Sequence, residues 1–403
     1  MRTVSPGTDV VVTGIGLVTA AGNDVESTWD AVREGRATAR RDPELRDLPV
    51  SLSCRADLAD SAPKLSPTLR PDPCARMGLT AVTQALERAK LDPADWDPTR
   101  VAVVTGCSLG GMHTANVAAE RFTAGGPTSV SPYFLTGYLI NMVSATIALH
   151  LGVLGPTLNV ATACASGATA LGTARDLLTS GQCDIAVVCG ADAAVTPSVV
   201  TGFTQLGALS DRSSRPFDTD RDGFVIAEGA GALVLERGEH AAARSAPHLA
   251  RFIGFAATTD AHHLVAPHPQ GQGAERALRE ALVEAGISPG EVDHVNAHGT
   301  STPRGDAVEA ALLARFFPHA PTVTSAKGAL GHTLGAAGAI EAVLTVLALR
   351  TDMVPPVAGL REPDPAFAID LVTGAPRQQE IAFAVSNSFG FGGHNAVVVL
   401  AKA

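Results

Sequence analysis

Short apolar runs recur along this chain, each bounded by glycine or polar residues, and between them lie stretches with helical periodicity. Residues 10–14, 101–106, 184–190 and 232–236 read as strands, and 251–255, 294–297, 322–325 and 396–401 continue the series. Asn23 with Glu26 makes a capping-box pattern that opens a helix through Glu34, stopped by Gly35. A further helix is expected over 274–285, ended by Gly286. Strands alternating with helices predict an α/β fold whose sheets are covered on both faces.

The two halves of the chain end alike, since 222–236 and 388–401 both read as strand, glycine turn, strand. This is a weak sign of internal duplication, and chance similarity of two hairpins explains it as well. A second half is expected to begin near Leu249, giving units 1–248 and 249–403. Residues 37–76, rich in Arg, Pro, Ser and Asp, read as a surface excursion.

Composition narrows the classes. The chain has 403 residues, of which 46% are hydrophobic and only 4% aromatic, so its core must rest on Ala, Val and Leu. A formal net charge of −10 argues against a nucleic-acid binder. Six cysteines occur without a C-x-x-C pair, which points away from a zinc or redox site and toward free thiols in a reducing cytoplasm. The apolar run 336–349 is too short for a membrane span and reads as a buried core helix.

Candidate chemistry centres on Thr162-Ala163-Cys164-Ala165-Ser166-Gly167, between a strand at 157–161 and a small-residue helix at 167–179. A cysteine at a helix N-terminus gains thiolate character from the dipole and free N–H groups there. Alone, it would read as a small buried core residue. Two histidines in glycine-rich turns after strands change that: His298 in Asn296-Ala297-His298-Gly299-Thr300-Ser301-Thr302, and His332 in Lys327-Gly328-Ala329-Leu330-Gly331-His332. Together they make a Cys-His-His constellation at strand ends. Of four lysines, Lys64, Lys90 and Lys402 sit in polar or terminal stretches, whereas Lys327 sits among small residues and needs a partner, for which Glu341 is the candidate. Two other motifs are weaker. Gly106-Cys107-Ser108-Leu109-Gly110 fits a serine nucleophile elbow but lacks a clear helix start after it. Gly14-Ile15-Gly16 lacks the third glycine of a dinucleotide fingerprint and reads as a tight turn.

These residues resemble the β-ketoacyl-[acyl-carrier-protein] synthases of fatty-acid elongation and their polyketide relatives. The resemblance runs from Val10-Val11-Val12-Thr13-Gly14-Ile15-Gly16 to Ser386-Asn387-Ser388-Phe389-Gly390-Phe391-Gly392-Gly393-His394-Asn395, and includes Arg215-Pro216-Phe217-Asp218 and Arg221-Asp222-Gly223-Phe224. It implies a thiolase fold, a duplicated five-layer αβαβα sandwich, usually as a homodimer. It implies Cys164 as acyl-accepting nucleophile, His298 and His332 as its partners, and Lys327 with Glu341 as a supporting ion pair. Thr300 and Thr302 match residues that bond the phosphopantetheine arm. Phe391 matches a gating residue whose N–H, with that of Cys164, forms an oxyanion hole. Leu109 and Phe203 match acyl-pocket positions, and Phe389 is grouped with the substrate-binding residues. Asp306 and Glu309 match structural polar positions. Two histidines indicate the elongating branch, which needs no metal or organic cofactor and works on substrates carried by a separate acyl carrier protein.

The chain departs from the pattern in three places, one of which, His394 where Thr is frequent, has no clear consequence. Tyr138 stands where a smaller residue is usual near the dimer interface, and is expected to shorten or reshape the acyl tunnel. The stretch before Ser131-Pro132 has lost its basic residues, leaving Arg70, Arg76, Arg212 and Arg215 as substitutes for carrier docking. Competing readings are a non-catalytic partner in a heterodimer and a non-elongating acyltransferase of the same fold. No nucleic acid or membrane is expected as a partner.

Overall fold

A computed structural model describes residues 9–58 and 71–403. Lys64 and Arg70 lie outside the described residues.

Eleven strands form one continuous mixed sheet. From one edge the order is Thr157–Val160, Val101–Gly106, Ile185–Asp192, Gly229–Arg237 and Val10–Val18; then Ala250–Thr259, His394–Ala401, Phe383–Gly390, His294–Asn296, Thr322–Thr324 and Asp370–Leu371. Counted along the chain, each half runs third, second, fourth, fifth, first, and the short strand Asp370–Leu371 is an addition at one edge. The senses match too: two parallel pairings, then two antiparallel ones, in both halves. The halves join where Val11 and Val12 pair with Arg251 and Ala250.

The expected hairpin likeness is corrected by this topology. Residues 222–228 form only isolated bridges, to Leu209, His332 and Cys54. The counterpart of the C-terminal hairpin is Ile185–Asp192 paired with Gly229–Arg237, split by a long excursion.

The sheet folds over a central pair of helices, Ser166–Thr179 and Ala337–Thr351, each of which touches strands of both halves. Pro73–Ala89 and Met142–Leu151 cover one outer face, and Gln272–Ala285 with Pro303–Phe316 the other. The result is five layers. Leu334–Thr351 is long and apolar enough to cross a membrane, but it is 89% buried, as expected of a core helix.

Small residues make this packing possible. Gly14 and Gly16 lie inside a strand, not in the expected tight turn, because the helix Pro73–Ala89 crosses them at backbone distance. A Cβ on Gly14 would meet the Ala85 carbonyl at 1.9 Å, and one on Gly16 the Ala81 carbonyl at 1.9 Å. Between the central helices, a Cβ on Gly167 would meet the Ala339 nitrogen at 2.6 Å.

Two local expectations shift. The first helix is Val25–Arg33 and its cap is Asp24, whose carboxylate accepts from the Ser27 N–H at 2.7 Å. Asn23 instead donates to the Asp57 carbonyl. The expected excursion is partly packed: Leu45, Val50, Leu52 and Cys54 are buried, and residue 73 already begins a helix.

His294 tests the core. Its ring is buried, with Nδ1 3.2 Å from the Thr322 carbonyl, and burial pushes its pKa from 6.5 down to about 4. The unfolded chain therefore binds this proton first. The contribution to stability is full above about pH 6.5 and is lost as pH falls toward 4, a loss of about 3 kcal/mol. Replacing His294→Phe removes that share of the acid sensitivity, read as the pH dependence of urea unfolding.

Candidate active site

Cys164 follows the strand Thr157–Val160 and precedes the helix Ser166–Thr179. The turn between them is sharp, with Ala163 at φ 50°. Ser166 secures it: its hydroxyl donates to the Ala163 carbonyl at 2.6 Å and accepts from the Thr162 N–H at 2.9 Å. Left-handed backbone at a non-glycine residue costs energy and persists only where the surroundings fix it. Gly390 lies against this turn, where a Cβ would meet the Thr162 carbonyl at 2.7 Å. Burial pushes the Cys164 thiol up to about 11, while the Lys327 charge and the N–H groups of Phe391 and Cys164 pull it down. The main chain of Cys164 and of Phe391 thus lies beside the sulfur.

His298 is held through its backbone. Its N–H donates to Glu309 Oε1 at 2.8 Å, and the Gly299 N–H donates to Oε2 at 2.7 Å. Its carbonyl accepts from Lys327 Nζ at 2.6 Å, and the same ammonium pairs with Glu341. Lys327 is 2% exposed. Burial lifts the Glu341 carboxyl to about 7 against the pull of Lys327.

His332 comes from a turn whose N–H donates to the Val225 carbonyl at 2.8 Å. The two imidazoles meet edge to face, ring centroids 5.5 Å apart. Their Nδ1 atoms are buried and have no hydrogen-bond partner among the described residues. Burial, and after it the Lys327 charge, holds both pKa values well below the usual range. Both rings are therefore neutral at neutral pH and can each offer one N–H to a developing oxyanion.

These groups share a cavity of about 550 Å³ lined by Cys164, His298, His332, Thr300, Thr302 and Phe391 among others. Phe203 and Phe389 line it too. Thr302 caps the helix Pro303–Phe316 and bonds Thr300 Oγ1 at 2.9 Å. Asp306 is structural: it accepts from the N–H groups of Phe217 and Ser301.

Three expectations are placed differently. Leu109 packs in the apolar cluster behind Phe203 rather than on the cavity wall. Tyr138 is not on the cavity of the single chain; its ring stacks on Phe134 at 5.5 Å beside exposed Leu135, Leu139 and Ile140. Arg215 is buried with its guanidinium on the Asp220 carbonyl, so it cannot serve docking, and Arg212 is paired with Asp222. Arg76 is exposed. Ser108 donates its hydroxyl to Asp192 at 2.6 Å and bonds no histidine among the described residues, which removes the serine-elbow reading. Asp192 itself escaped the sequence reading; its place at the end of a parallel strand was the available signal.

Models of the β-ketoacyl synthase N-terminal domain and C-terminal domain match residues 7–241 and 249–361. The chain belongs to the β-ketoacyl synthase family. The 3-oxoacyl-[acyl-carrier-protein] synthase 2 of Rhizobium meliloti (strain 1021) is 37% identical over 415 residues, covering 98% of each chain. Among solved structures, the ishigamide ketosynthase/chain length factor is 32% identical with a TM-score of 0.90, over 98% of this chain and 100% of that one. A type II polyketide ketosynthase, solved with its acyl-carrier protein and bound to the hexaketide, is 28% identical with a TM-score of 0.92, over the same shares. The five layers are the thiolase fold of these ketosynthases.

The Lys327–Glu341 pair is open to a direct check. Lys327→Ala leaves a buried carboxylate uncompensated and should cost about 3–5 kcal/mol of stability. Adding Glu341→Ala should return a large part of that loss, measured by urea unfolding of the two single variants and the double.

Proposed function

We propose that this chain is an elongating β-ketoacyl-[acyl-carrier-protein] synthase working in fatty-acid or type II polyketide synthesis. The observation that carries the reading is the convergence of the Cys164 sulfur, two neutral imidazoles and the Phe391 N–H on one cavity.

Cys164 attacks the thioester of an acyl carrier, forming a new C–S bond as the carrier thiol leaves with the proton. Lys327 and the N–H groups favour the thiolate that this step needs. Malonyl carrier then enters along Thr300 and Thr302. His298 and His332 donate to its thioester oxygen, where negative charge gathers as the C–C bond breaks and CO2 leaves. The carbanion attacks the acyl-Cys164 carbonyl. The N–H groups of Cys164 and Phe391 hold the oxyanion, each donor being worth about 3–4 kcal/mol in such a transition state. Collapse expels the Cys164 thiolate and frees a β-keto product two carbons longer. The acyl groups arrive on the phosphopantetheine of a separate carrier, and the chemistry calls for no metal or organic cofactor. Phe203, Phe389 and, behind them, Leu109 would shape the acyl end.

The free state of all six cysteines supports a cytoplasmic setting. The chain is inferred to divide into halves at 248/249, between the helix Gly238–Ala243 and the strand Ala250–Thr259; a short insertion after Ala246 should leave folding intact. A homodimer is supported by the sheet edge Thr157–Val160, where Leu158 is exposed beside Leu149 and Leu154. Tyr138 lies on an exposed apolar face and would reach an acyl tunnel only with a partner chain in place. A heterodimer with a homologous subunit is the alternative. A solution mass near twice 41.1 kDa for the chain alone supports the homodimer, and a monomer supports the heterodimer.

Radiolabelled malonyl carrier tests the reaction. Wild type with an acyl carrier should release CO2 and β-keto product in equal amounts. His298→Ala and His332→Ala should each lower CO2 release by about a hundredfold or more, by loss of oxyanion stabilisation. Acyl transfer without CO2 release in wild type would refute the elongating reading.

A further inference from the structure

Three segments meet on one carboxylate. Asp192 ends the strand Ile185–Asp192 and is fully buried. Its Oδ2 accepts from Ser108 Oγ at 2.6 Å, the Ser108 N–H at 3.1 Å and the Gly335 N–H at 2.7 Å. Its Oδ1 accepts from Cys107 Sγ and the Leu109 N–H, each at 3.3 Å. All five neighbours are donors, so only the ionised carboxylate satisfies them together. No cation among the described residues pairs with it. Such a group costs energy to bury and is held by its hydrogen bonds alone.

Of the two segments it joins, one carries His332 to the cavity and the other packs behind the cavity wall. Gly335 lies three residues after His332, and between them Leu334 adopts φ 51°. A leucine in left-handed backbone is strained, and this one is held from both sides. On one side the His332 N–H donates to Val225, and its carbonyl accepts from Ala227. On the other, Gly335 is fixed by Asp192. The approach is close enough to need glycine, since a Cβ at Gly335 would meet Asp192 Oδ2 at 2.5 Å and the Ser108 nitrogen at 2.7 Å. The second segment carries Leu109 into the cluster that backs Phe203 and Leu334.

We propose that Asp192 is a positioning residue for condensation: its carboxylate locks the main chain that carries His332 to the wall of the acyl pocket, so that imidazole and pocket hold one register. It touches no reacting atom. The inference rests on the role proposed above for His332. A second consequence is electrostatic. Cys164 shares the cavity wall with His298 and His332, and of the two charges that act on its thiol, Lys327 favours the thiolate and Asp192 opposes it.

Asp192→Asn separates this role from simple support of the fold, because it keeps the size, removes the charge and sets an amide N–H against backbone donors. Three readouts apply: acyl transfer to Cys164 by intact mass, steady-state condensation with malonyl carrier, and the pH dependence of Cys164 alkylation by iodoacetamide. The expected result is a condensation kcat lowered by about tenfold or more with KM for malonyl carrier within about twofold, and acyl transfer much less affected. The alkylation midpoint should move to lower pH by on the order of half a unit. Unchanged condensation overturns the proposal. So does a uniform fall in both steps together with the thermal midpoint, or an alkylation midpoint that stays put. If wild type itself fails to condense, the functional reading fails, and the alkylation shift alone decides whether Asp192 acts on the site. Should Asp192→Asn not fold, Ser108→Ala removes one donor and keeps the charge. It should lower kcat several-fold at unchanged KM, and an unchanged kcat counts against the proposal.

Discussion

A single buried ammonium ties the parts of this site to one another. Lys327 starts the short helix after the strand Thr322–Thr324, bonds the carbonyl of His298 from the neighbouring strand end, and pairs with Glu341 on the central helix Ala337–Thr351. An unpaired charge at that depth would be far too costly, so the fold must deliver both partners. Once in place the charge acts on everything nearby. It helps keep both imidazoles neutral and works against the effect of burial on Cys164. Neutral rings donate hydrogen bonds without adding cations, which suits a reaction that gathers negative charge on a thioester oxygen.

The central helices are what bring these residues within reach. The nucleophile comes from one half of the sheet and the two histidines from the other. They meet because Ser166–Thr179 and Ala337–Thr351 pack at backbone distance. A Cβ on Gly338 would meet the Ala168 nitrogen at 2.5 Å, and strands of the first half press as closely on the same helix, since a Cβ on Gly231 would meet the Ile340 nitrogen at 2.6 Å. A core poor in aromatic residues is therefore a condition of the chemistry: bulk at these contacts would separate the halves of the site.

The strand series and the Cys-His-His constellation were legible because each rests on a local pattern. Apolar runs bounded by glycine mark strands, and chemistry-bearing residues in glycine-rich turns after strands mark a site. Lys327 stood out because a charge among small residues demands a partner. The signals that failed were those that depend on distant contacts. Gly14 and Gly16 read as a turn because nothing local reveals that Ala81 and Ala85 press against them. The hairpin likeness of 222–236 was a coincidence of glycines, while the true repeat lies in strand order, which only tertiary structure exposes. Asp192 has no local signal beyond its place at a strand end, since its five donors come from two distant segments, residues 107–109 and Gly335. Tyr138 faces outward in the single chain, so its effect on a tunnel depends on a surface that one chain does not complete.

The most direct test of the account is the mass of the protein after incubation with an acyl carrier, compared between wild type and Cys164→Ala. The account predicts one acyl adduct on wild type, none on the variant, and loss of the adduct when malonyl carrier is added, with a product two carbons longer. An adduct that persists on Cys164→Ala, or its absence from wild type across several acyl chain lengths, would contradict it.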